Sequence, residues 1–217
     1  MLTGPMIIPD TIENVVILCH GYGSDGNDMI GIAQQLADNF PKTAFIAPNA
    51  PDKTVWGGYE WFSLDDFDLS TADETYLTKL TIRSKLAVRQ LNELVNYIQM
   101  KYNISSNKIV LGGFSQGGLV AMLTALELKS NPAGVIAMSA VPIYFAEKRL
   151  DNKKSFPILL THGSDDPVVP IWAMQAGLEQ LKSMNFQPDA CISQRLGHGI
   201  DLNCLSHIRS FLNKIIR

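Results

Sequence analysis

A serine stands between two glycines in the string Gly-Phe-Ser-Gln-Gly at residues 113–117, and the segments around it constrain the fold strongly. The apolar run at residues 108–112 predicts a buried strand before the string, and residues 118–128 predict a helix after it. A turn this tight brings neighbouring backbones almost into contact, so side chains at Gly113 and Gly117 would collide. The strained turn lifts the Oγ of Ser115 above the sheet, and the pattern predicts a nucleophile elbow.

Strand and helix patterns alternate along the rest of the chain. Apolar, β-branched runs predict strands at residues 14–20, 43–47, 108–112, 135–139, 157–161 and 189–194. Apolar residues at helical spacing predict helices at residues 27–39, 80–102, 118–128, 171–184 and 202–216, with Leu86 on the buried stripe of the second. This alternation predicts an α/β fold with a mainly parallel central sheet and helices on both faces. We expect one domain over residues 1–217.

Three glycine-bearing turns follow predicted strands, and they indicate where chemistry takes place. They are His20-Gly21, residues 113–117 and His162-Gly163. In a parallel sheet, ligands bind beyond the carboxyl ends of the strands. We therefore expect these turns to converge on one edge of the sheet.

A serine hydroxyl is a weak nucleophile, so a base must accept its proton during attack. The chain has four histidines. His20 and His162 directly precede glycines at strand ends, where an imidazole usually supports a loop, and His207 lies within the closing helix. His198 lies in a Leu-Gly-His-Gly turn between the last strand and the last helix, and its flanking glycines would let the ring approach the serine closely. We predict His198 as the general base.

The third member of such a site is a carboxylate that orients the imidazole. Asp165 and Asp166 are the best-placed candidates, since they follow the strand at residues 157–161 and precede His198. Asp166 is favoured because the ring of Pro167 restricts it to an extended conformation. Asp165, which could cap the turn, stays as the alternative.

The developing oxyanion needs two donors. The backbone N–H of Gln116 is one candidate, and that of Tyr22, in the His-Gly-Tyr-Gly loop after the first strand, is the other. The same loop lacks the lysine and the glycine spacing of phosphate-binding loops. Asp25 and Asp28 lack the acidic spacing of a calcium loop, so we interpret them as turn and N-cap residues.

Six motifs occur in order along almost the whole chain. They are His-Gly-Tyr-Gly-Ser-Asp-Gly at residues 20–26, Ala-Pro-Asn-Ala-Pro at 47–51, Trp61-Phe62, Gly-Gly-Phe-Ser-Gln-Gly-Gly at 112–118, His162-Gly163 with Asp-Asp-Pro-Val-Val-Pro at 165–170, and Gly197-His198. Together they resemble the phospholipase/carboxylesterase family, the small α/β-hydrolases that include the acyl-protein thioesterases.

The resemblance implies an α/β-hydrolase fold, with Ser115 as nucleophile, Asp166 as the acid and His198 as the base. It also implies an oxyanion hole formed by the backbone amides of Tyr22 and Gln116, and no cofactor or metal. Family members hydrolyse short-to-medium carboxyl esters, lysophospholipids or fatty-acyl thioesters. We therefore expect a small-molecule ester or thioester as the substrate.

Two departures from the family pattern concern the acyl-binding surface. Tyr22 and Ser24 stand where thioesterase-type members more often have leucine and aspartate, and Gly199 follows His198 where a serine is frequent. Both departures favour a carboxylesterase over an enzyme that depalmitoylates proteins. The alternative is a lysophospholipase or acyl-protein thioesterase activity.

The walls of the substrate pocket are predicted from apolar residues near the turns. We expect Trp61 and Phe62 on one side of the serine, and Val141, Pro142 and Ile143 on the other. Local core packing is the alternative for all five. No long insertion suggests a large lid, so the site should be open to solvent and suited to soluble esters.

Composition narrows the class of partner and the compartment. Hydrophobic residues make up 46% and charged residues 18%, which is ordinary for a soluble globular protein, and the net charge of −3 gives no argument for nucleic acid or an anionic membrane. We expect no membrane-spanning segment, and residues 1–10 do not resemble a signal peptide. Cys19, Cys191 and Cys204 are predicted to be buried reduced thiols, which favours the cytoplasm. Composition does not predict the oligomeric state.

Overall fold

The computed structural model describes residues 1–64, 74–140 and 154–216, with the backbone alone described at 74–77. Its strands are β1 (Met6–Ile7), β2 (Asn14–Cys19), β3 (Thr43–Ile46), β4 (Asp52–Lys53), β5 (Tyr59–Glu60), β6 (Ile109–Phe114), β7 (Gly134–Met138), β8 (Ile158–Gly163) and β9 (Asp189–Ser193). Its helices are α1 (Gly26–Ala37), α2 (Glu74–Arg83), α3 (Lys85–Tyr102), α4 (Gln116–Glu127), α5 (Ile171–Ser183) and α6 (Leu202–Ile215). A short 3₁₀ turn, Ser106–Lys108, precedes β6.

The central sheet has the strand order β1-β3-β2-β6-β7-β8-β9. Strand β1 is antiparallel to β3, and the other neighbouring strands are parallel. The predicted α/β fold with a mainly parallel sheet is confirmed. Strands β4 and β5, which lie between β3 and α2 along the chain, form a separate antiparallel pair.

Alternation along the strands divides the core into two layers. In β2, Val15 and Ile17 pack on one face of the sheet, and Val16 and Leu18 pack on the other. The first layer also holds buried residues of α3, α4 and α5, and the second holds those of α1 and α6. Since both faces are covered, every residue of β2 is buried, as expected of a strand in a parallel sheet.

The helix expected at residues 80–102 is divided at Ser84 between α2 and α3. The Ser84 hydroxyl donates to the carbonyl of Thr81 at 2.9 Å, while its backbone N–H keeps the helical bond to the Leu80 carbonyl at 2.9 Å. The prediction that Leu86 is buried is wrong. Its side chain is 49% exposed, and the smaller Ala87 and Val88 occupy the buried face in its place.

None of the helices within the described residues has the length and apolar character needed to cross a membrane.

Candidate active site

Ser115 lies at the junction of β6 and α4 in a strained backbone conformation. Its φ of 53° and ψ of −117° are uncommon for a residue with a side chain, and such conformations cost about 1–3 kcal/mol. Hydrogen bonds hold it there: the Ser115 N–H donates to the Met138 carbonyl at 2.8 Å, and the Gly118 N–H donates to the Ser115 carbonyl at 3.1 Å. Strain that the surrounding structure maintains is typical of a functional residue.

The two glycines flanking the elbow are required by close backbone contacts. A Cβ on Gly113 would lie 2.4 Å from the carbonyl carbon of Gly117. A Cβ on Gly117 would lie 2.4 Å from the carbonyl oxygens of both Cys19 and His20. The predicted collision is confirmed, and the elbow is pressed against the end of β2.

Gly117→Ala is therefore expected to destabilise the protein and to impair hydrolysis. Overpacking a tight site costs about 1–3 kcal/mol, and the displaced atoms belong to the segment that leads to Tyr22. Gly31→Ala in α1 is the matched control, because its Cβ would meet open space and alanine should add about 0.5–1 kcal/mol of stability in a helix. Urea unfolding and ester hydrolysis of both variants measure the effect. Equal stability of the two variants would contradict it.

Asp166 and His198 form a hydrogen-bonded pair. The His198 Nδ1 lies 2.7 Å from the Asp166 Oδ2, and the Asp166 side chain is fully buried. The other carboxylate oxygen accepts the backbone N–H groups of Val168 at 2.9 Å and Val169 at 2.8 Å. With Nδ1–H donating to the carboxylate, the His198 Nε2 is left to accept a proton.

Asp165 has a different role. Its Oδ1 accepts the Ser164 hydroxyl at 2.6 Å at an exposed position. Its backbone N–H donates to the Leu196 carbonyl at 3.0 Å, which ties the turn to the loop that carries His198. The structure thus brings Asp166, and not Asp165, to the imidazole.

Ser115 and His198 line one cavity of about 460 Å³. The His198 side chain is 17% exposed, and its ring packs against that of Phe114 with centroids 4.6 Å apart. Among residues 1–64, 74–140 and 154–216, no hydrogen-bond partner of the Ser115 Oγ is found. Catalytic hydrogen bonds of this kind often tighten only when substrate binds.

The glycines beside His198 are not the ones that the geometry requires. A Cβ on Gly197 or Gly199 would approach its nearest neighbour at 3.9 or 3.8 Å, which is ordinary contact, so the packing around these two positions would admit a side chain. A Cβ on Gly163, at the end of β8, would lie 2.2 Å from the Leu196 carbonyl oxygen. The close approach is therefore between β8 and the backbone of the His198 loop.

His162 and His207 are placed as the sequence predicts. His162 is buried, and its Nε2–H donates to the Val169 carbonyl at 2.7 Å. The same nitrogen lies 3.5 Å from the Asp166 Oδ2, so His162 supports the turn that presents this carboxylate. His207 is exposed on α6.

The backbone N–H groups of Tyr22 and Gln116 are candidates for the oxyanion hole. Both residues line the cavity with Ser115. Within the described part of the chain, neither N–H donates to another group. Gln116 is also the first residue of α4, where the helix dipole favours negative charge.

The Gln116 side chain has a structural role that the sequence reasoning missed. Its Oε1 accepts the Trp61 N–H at 2.9 Å, and its Nε2 donates to the Phe62 carbonyl at 2.7 Å. The side chain is 1% exposed. A polar amide directly after the elbow serine, just before the mostly apolar segment predicted as a helix, is the signal that could have revealed it.

The cavity walls differ from those expected. Trp61 and Phe62 are buried in the core and are not among the described residues that line the cavity. The prediction for Val141, Pro142 and Ile143 falls outside the described residues. Apolar lining comes from residues that the sequence did not single out: Met29, Ile32, Leu64, Phe114, Val168, Val169 and Ile200. Phe114, Val168, Val169 and Ile200 lie within three residues of Ser115, Asp166 or His198, and that closeness in sequence is the signal that could have found them.

Carboxylates fix the loops at both sides of the cavity. Asp25 caps α1 by accepting the Asn27 N–H at 2.7 Å, so its interpretation as an N-cap is confirmed. Asp201 caps α6 by accepting the Cys204 N–H at 2.8 Å, with a second bond from the Ser193 hydroxyl. These bonds, that of Cys204 above all, hold the pKa of Asp201 below its usual value. The loop carrying His198 is thereby anchored where α6 begins.

All three cysteines are free and buried, as predicted. Burial raises the pKa of Cys19 well above its usual range and that of Cys204 to about 11, so both stay protonated at neutral pH. Within the described residues, no group of three or more acidic, histidine or cysteine side chains could hold a metal ion.

Comparisons with known proteins agree with this architecture. A model of the phospholipase/carboxylesterase family matches residues 9–216. Acyl-protein thioesterase 1 of Cryptococcus neoformans is 34% identical over 165 residues, which span 71% of this chain and 66% of that protein, just under two thirds of its length. Acyl-protein thioesterase 1 of Gibberella zeae is 25% identical, covering 97% of this chain and 94% of that protein. Among solved structures, esterase PE8 is 32% identical with a TM-score of 0.89, covering 99% of both chains.

Proposed function

The chain belongs to the phospholipase/carboxylesterase family, and we propose that it is a serine carboxylesterase acting on short-to-medium acyl esters through an acyl-enzyme. The observation that carries the proposal is the buried Asp166 carboxylate 2.7 Å from His198, on the cavity that Ser115 also lines. A carboxylate, an imidazole and a strained serine at one site are the parts that acyl transfer requires.

The proposed reaction has two similar halves. The Ser115 Oγ attacks the ester carbonyl while the His198 Nε2 takes its proton, and Asp166 stabilises the imidazolium. The N–H groups of Tyr22 and Gln116 donate to the oxyanion of the tetrahedral intermediate. The alcohol leaves with the proton from His198, and water then repeats the sequence on the acyl-enzyme.

The cavity favours a small ester or thioester as the substrate. Its volume of about 460 Å³ lies within the range of small-molecule sites, and much of its wall is apolar. Among the described residues, no insertion covers it as a large lid. The similarity to esterase PE8 over 99% of both chains supports an esterase.

The alternative is a lysophospholipase or acyl-protein thioesterase that acts on long acyl chains. The similarity to the thioesterases of two fungi favours it. Tyr22 and Ser24, which depart from the thioesterase pattern, lie on the cavity wall and count against it. A binding module without catalysis is disfavoured, because the Asp166–His198 pair and two available N–H donors are all present.

Turnover of a graded substrate series tests the proposal. We expect kcat/KM of p-nitrophenyl esters to be highest between butyryl and octanoyl chains and to fall about tenfold or more at lauroyl to palmitoyl chains. Matched acyl thioesters should be no better than the esters. The Ser115→Ala variant supplies the background rate. A maximum on lauroyl to palmitoyl thioesters would favour the alternative.

We further propose that the protein acts in the cytoplasm. Its three cysteines are buried and unpaired, which fits a reducing compartment.

A further inference from the structure

We infer that His20 is a positioning residue that aims the backbone N–H of Tyr22 into the oxyanion hole. This inference rests on the proposed function, since it concerns a donor that matters only if the cavity hydrolyses esters. His20 lies directly after β2, is fully buried and does not line the cavity.

Hydrogen bonds on both ring nitrogens define the tautomer of His20. The Ala50 N–H donates to the His20 Nε2 at 2.9 Å, so this nitrogen carries no proton. The Nδ1 therefore bears the ring proton and donates it to the Gly21 carbonyl at 2.7 Å. Burial lowers the pKa of His20, although its bond to the Gly21 carbonyl and the charges of Asp25 and Asp28 act in the opposite direction. With Nε2 accepting the Ala50 N–H, the ring is neutral.

The Gly21 carbonyl and the Tyr22 N–H belong to the same peptide group. Because this peptide is trans, its C=O and N–H point to opposite sides. A carbonyl held against the buried imidazole directs the N–H away from it, and Tyr22 lines the cavity with Ser115. The Ser24 N–H also donates to the Gly21 carbonyl, but at 3.3 Å, so the bond from His20 is the shorter of the two.

His20 is itself bonded to Trp61, the residue that also bonds to the side chain of Gln116. The Trp61 Nε1–H donates to the His20 carbonyl at 2.9 Å, and the two rings are 5.5 Å apart. The Trp61 backbone N–H in turn donates to the Gln116 side chain. Trp61 thus links His20, next to the peptide with the Tyr22 N–H, to Gln116, whose backbone N–H is the other donor. This link sets the spacing of the two donors.

Two nearly isosteric variants separate the two ring contacts. In His20→Asn the amide nitrogen takes the place of Nδ1 and can still donate to the Gly21 carbonyl. In His20→Gln the amide oxygen takes the place of Nε2, which preserves the bond from Ala50 and loses the one to Gly21. His207→Asn, on the exposed face of α6, is the control for a change of histidine away from the site.

The readout compares an ester with its thionoester, in which sulfur replaces the carbonyl oxygen. Sulfur accepts hydrogen bonds weakly, so its hydrolysis depends less on the oxyanion donors. We expect His20→Gln to lower kcat for the ester by up to about 10²–10³-fold, the effect of losing one such donor, with a smaller loss on the thionoester. His20→Asn should stay nearer to the wild type on both substrates, and His207→Asn should match it.

Equal losses on ester and thionoester, or an asparagine variant no better than the glutamine variant, would overturn the inference. Failure of both variants to fold, judged by thermal unfolding, would also overturn it, because His20 would then be only structural. Absence of ester hydrolysis in the wild type would instead refute the proposed function.

Discussion

Replacing Ser115 with alanine is expected to lower hydrolysis of p-nitrophenyl butyrate by about 10⁶-fold and to leave the fold intact. The serine, imidazole and carboxylate act as a unit, so removal of the nucleophile leaves only the contribution of the oxyanion donors. The fold should persist because, in the described part of the chain, the Ser115 hydroxyl has no hydrogen-bond partner to lose. Initial rates and thermal unfolding of the purified variant measure both effects.

Ser139→Ala is the matched control for this variant. Ser139 also has a positive φ, of 43°, and it directly follows the neighbouring strand β7 at a buried position. It does not line the cavity, so we expect activity close to that of the wild type. Retained hydrolysis in Ser115→Ala would contradict the proposed role of Ser115.

Replacing Asp166 with asparagine is expected to lower kcat by about 10⁴-fold with little change in KM. The amide oxygen of the asparagine would keep the bonds from Val168 and Val169, which leaves its NH₂ facing the His198 Nδ1. That NH₂ can only donate, so the ring proton moves to Nε2, and Nε2 can no longer accept the proton of Ser115. Steady-state kinetics at several pH values measure the loss.

Asp165→Asn is its control, since the two residues are adjacent and the same atoms change. The Asp165 carboxylate is exposed and binds the Ser164 hydroxyl, so the variant should retain near wild-type activity. The reverse outcome, with Asp165→Asn inactive and Asp166→Asn active, would show that the wrong carboxylate has been assigned.

Much of the fold follows from local pattern, because buried parallel strands are short continuous apolar runs. The six parallel strands and the nucleophile elbow were predictable for this reason. Strand β1 has only two residues, which is too few to show a period. The boundary between α2 and α3 at Ser84 was missed because helical backbone bonds continue through it, from the Ser84 N–H to Leu80 and from the Val88 N–H to Ser84, so the apolar spacing predicts a single helix.

The candidate site shows where sequence reasoning ends. The position of Ser115 is set by the residues of its own turn, so it can be predicted from local sequence. The choice between Asp166 and Asp165 depends on which of the two carboxylates meets His198, 32 residues from Asp166 along the chain. Trp61 was expected on the cavity wall, with local core packing as the alternative, because it lies in an irregular segment rich in aromatic residues. It is buried instead, since its indole N–H pairs with the His20 carbonyl and its backbone N–H with Gln116.

Labelling with a fluorophosphonate tests most directly the claim that Ser115 is an activated nucleophile. The reagent phosphonylates a serine whose proton is taken by a base, and digestion followed by mass spectrometry locates the adduct. We predict an adduct on the peptide containing Ser115 in the wild type, much slower labelling in Asp166→Asn, and none in Ser115→Ala. No adduct on the folded wild-type protein, or an adduct on a different serine, would contradict the account.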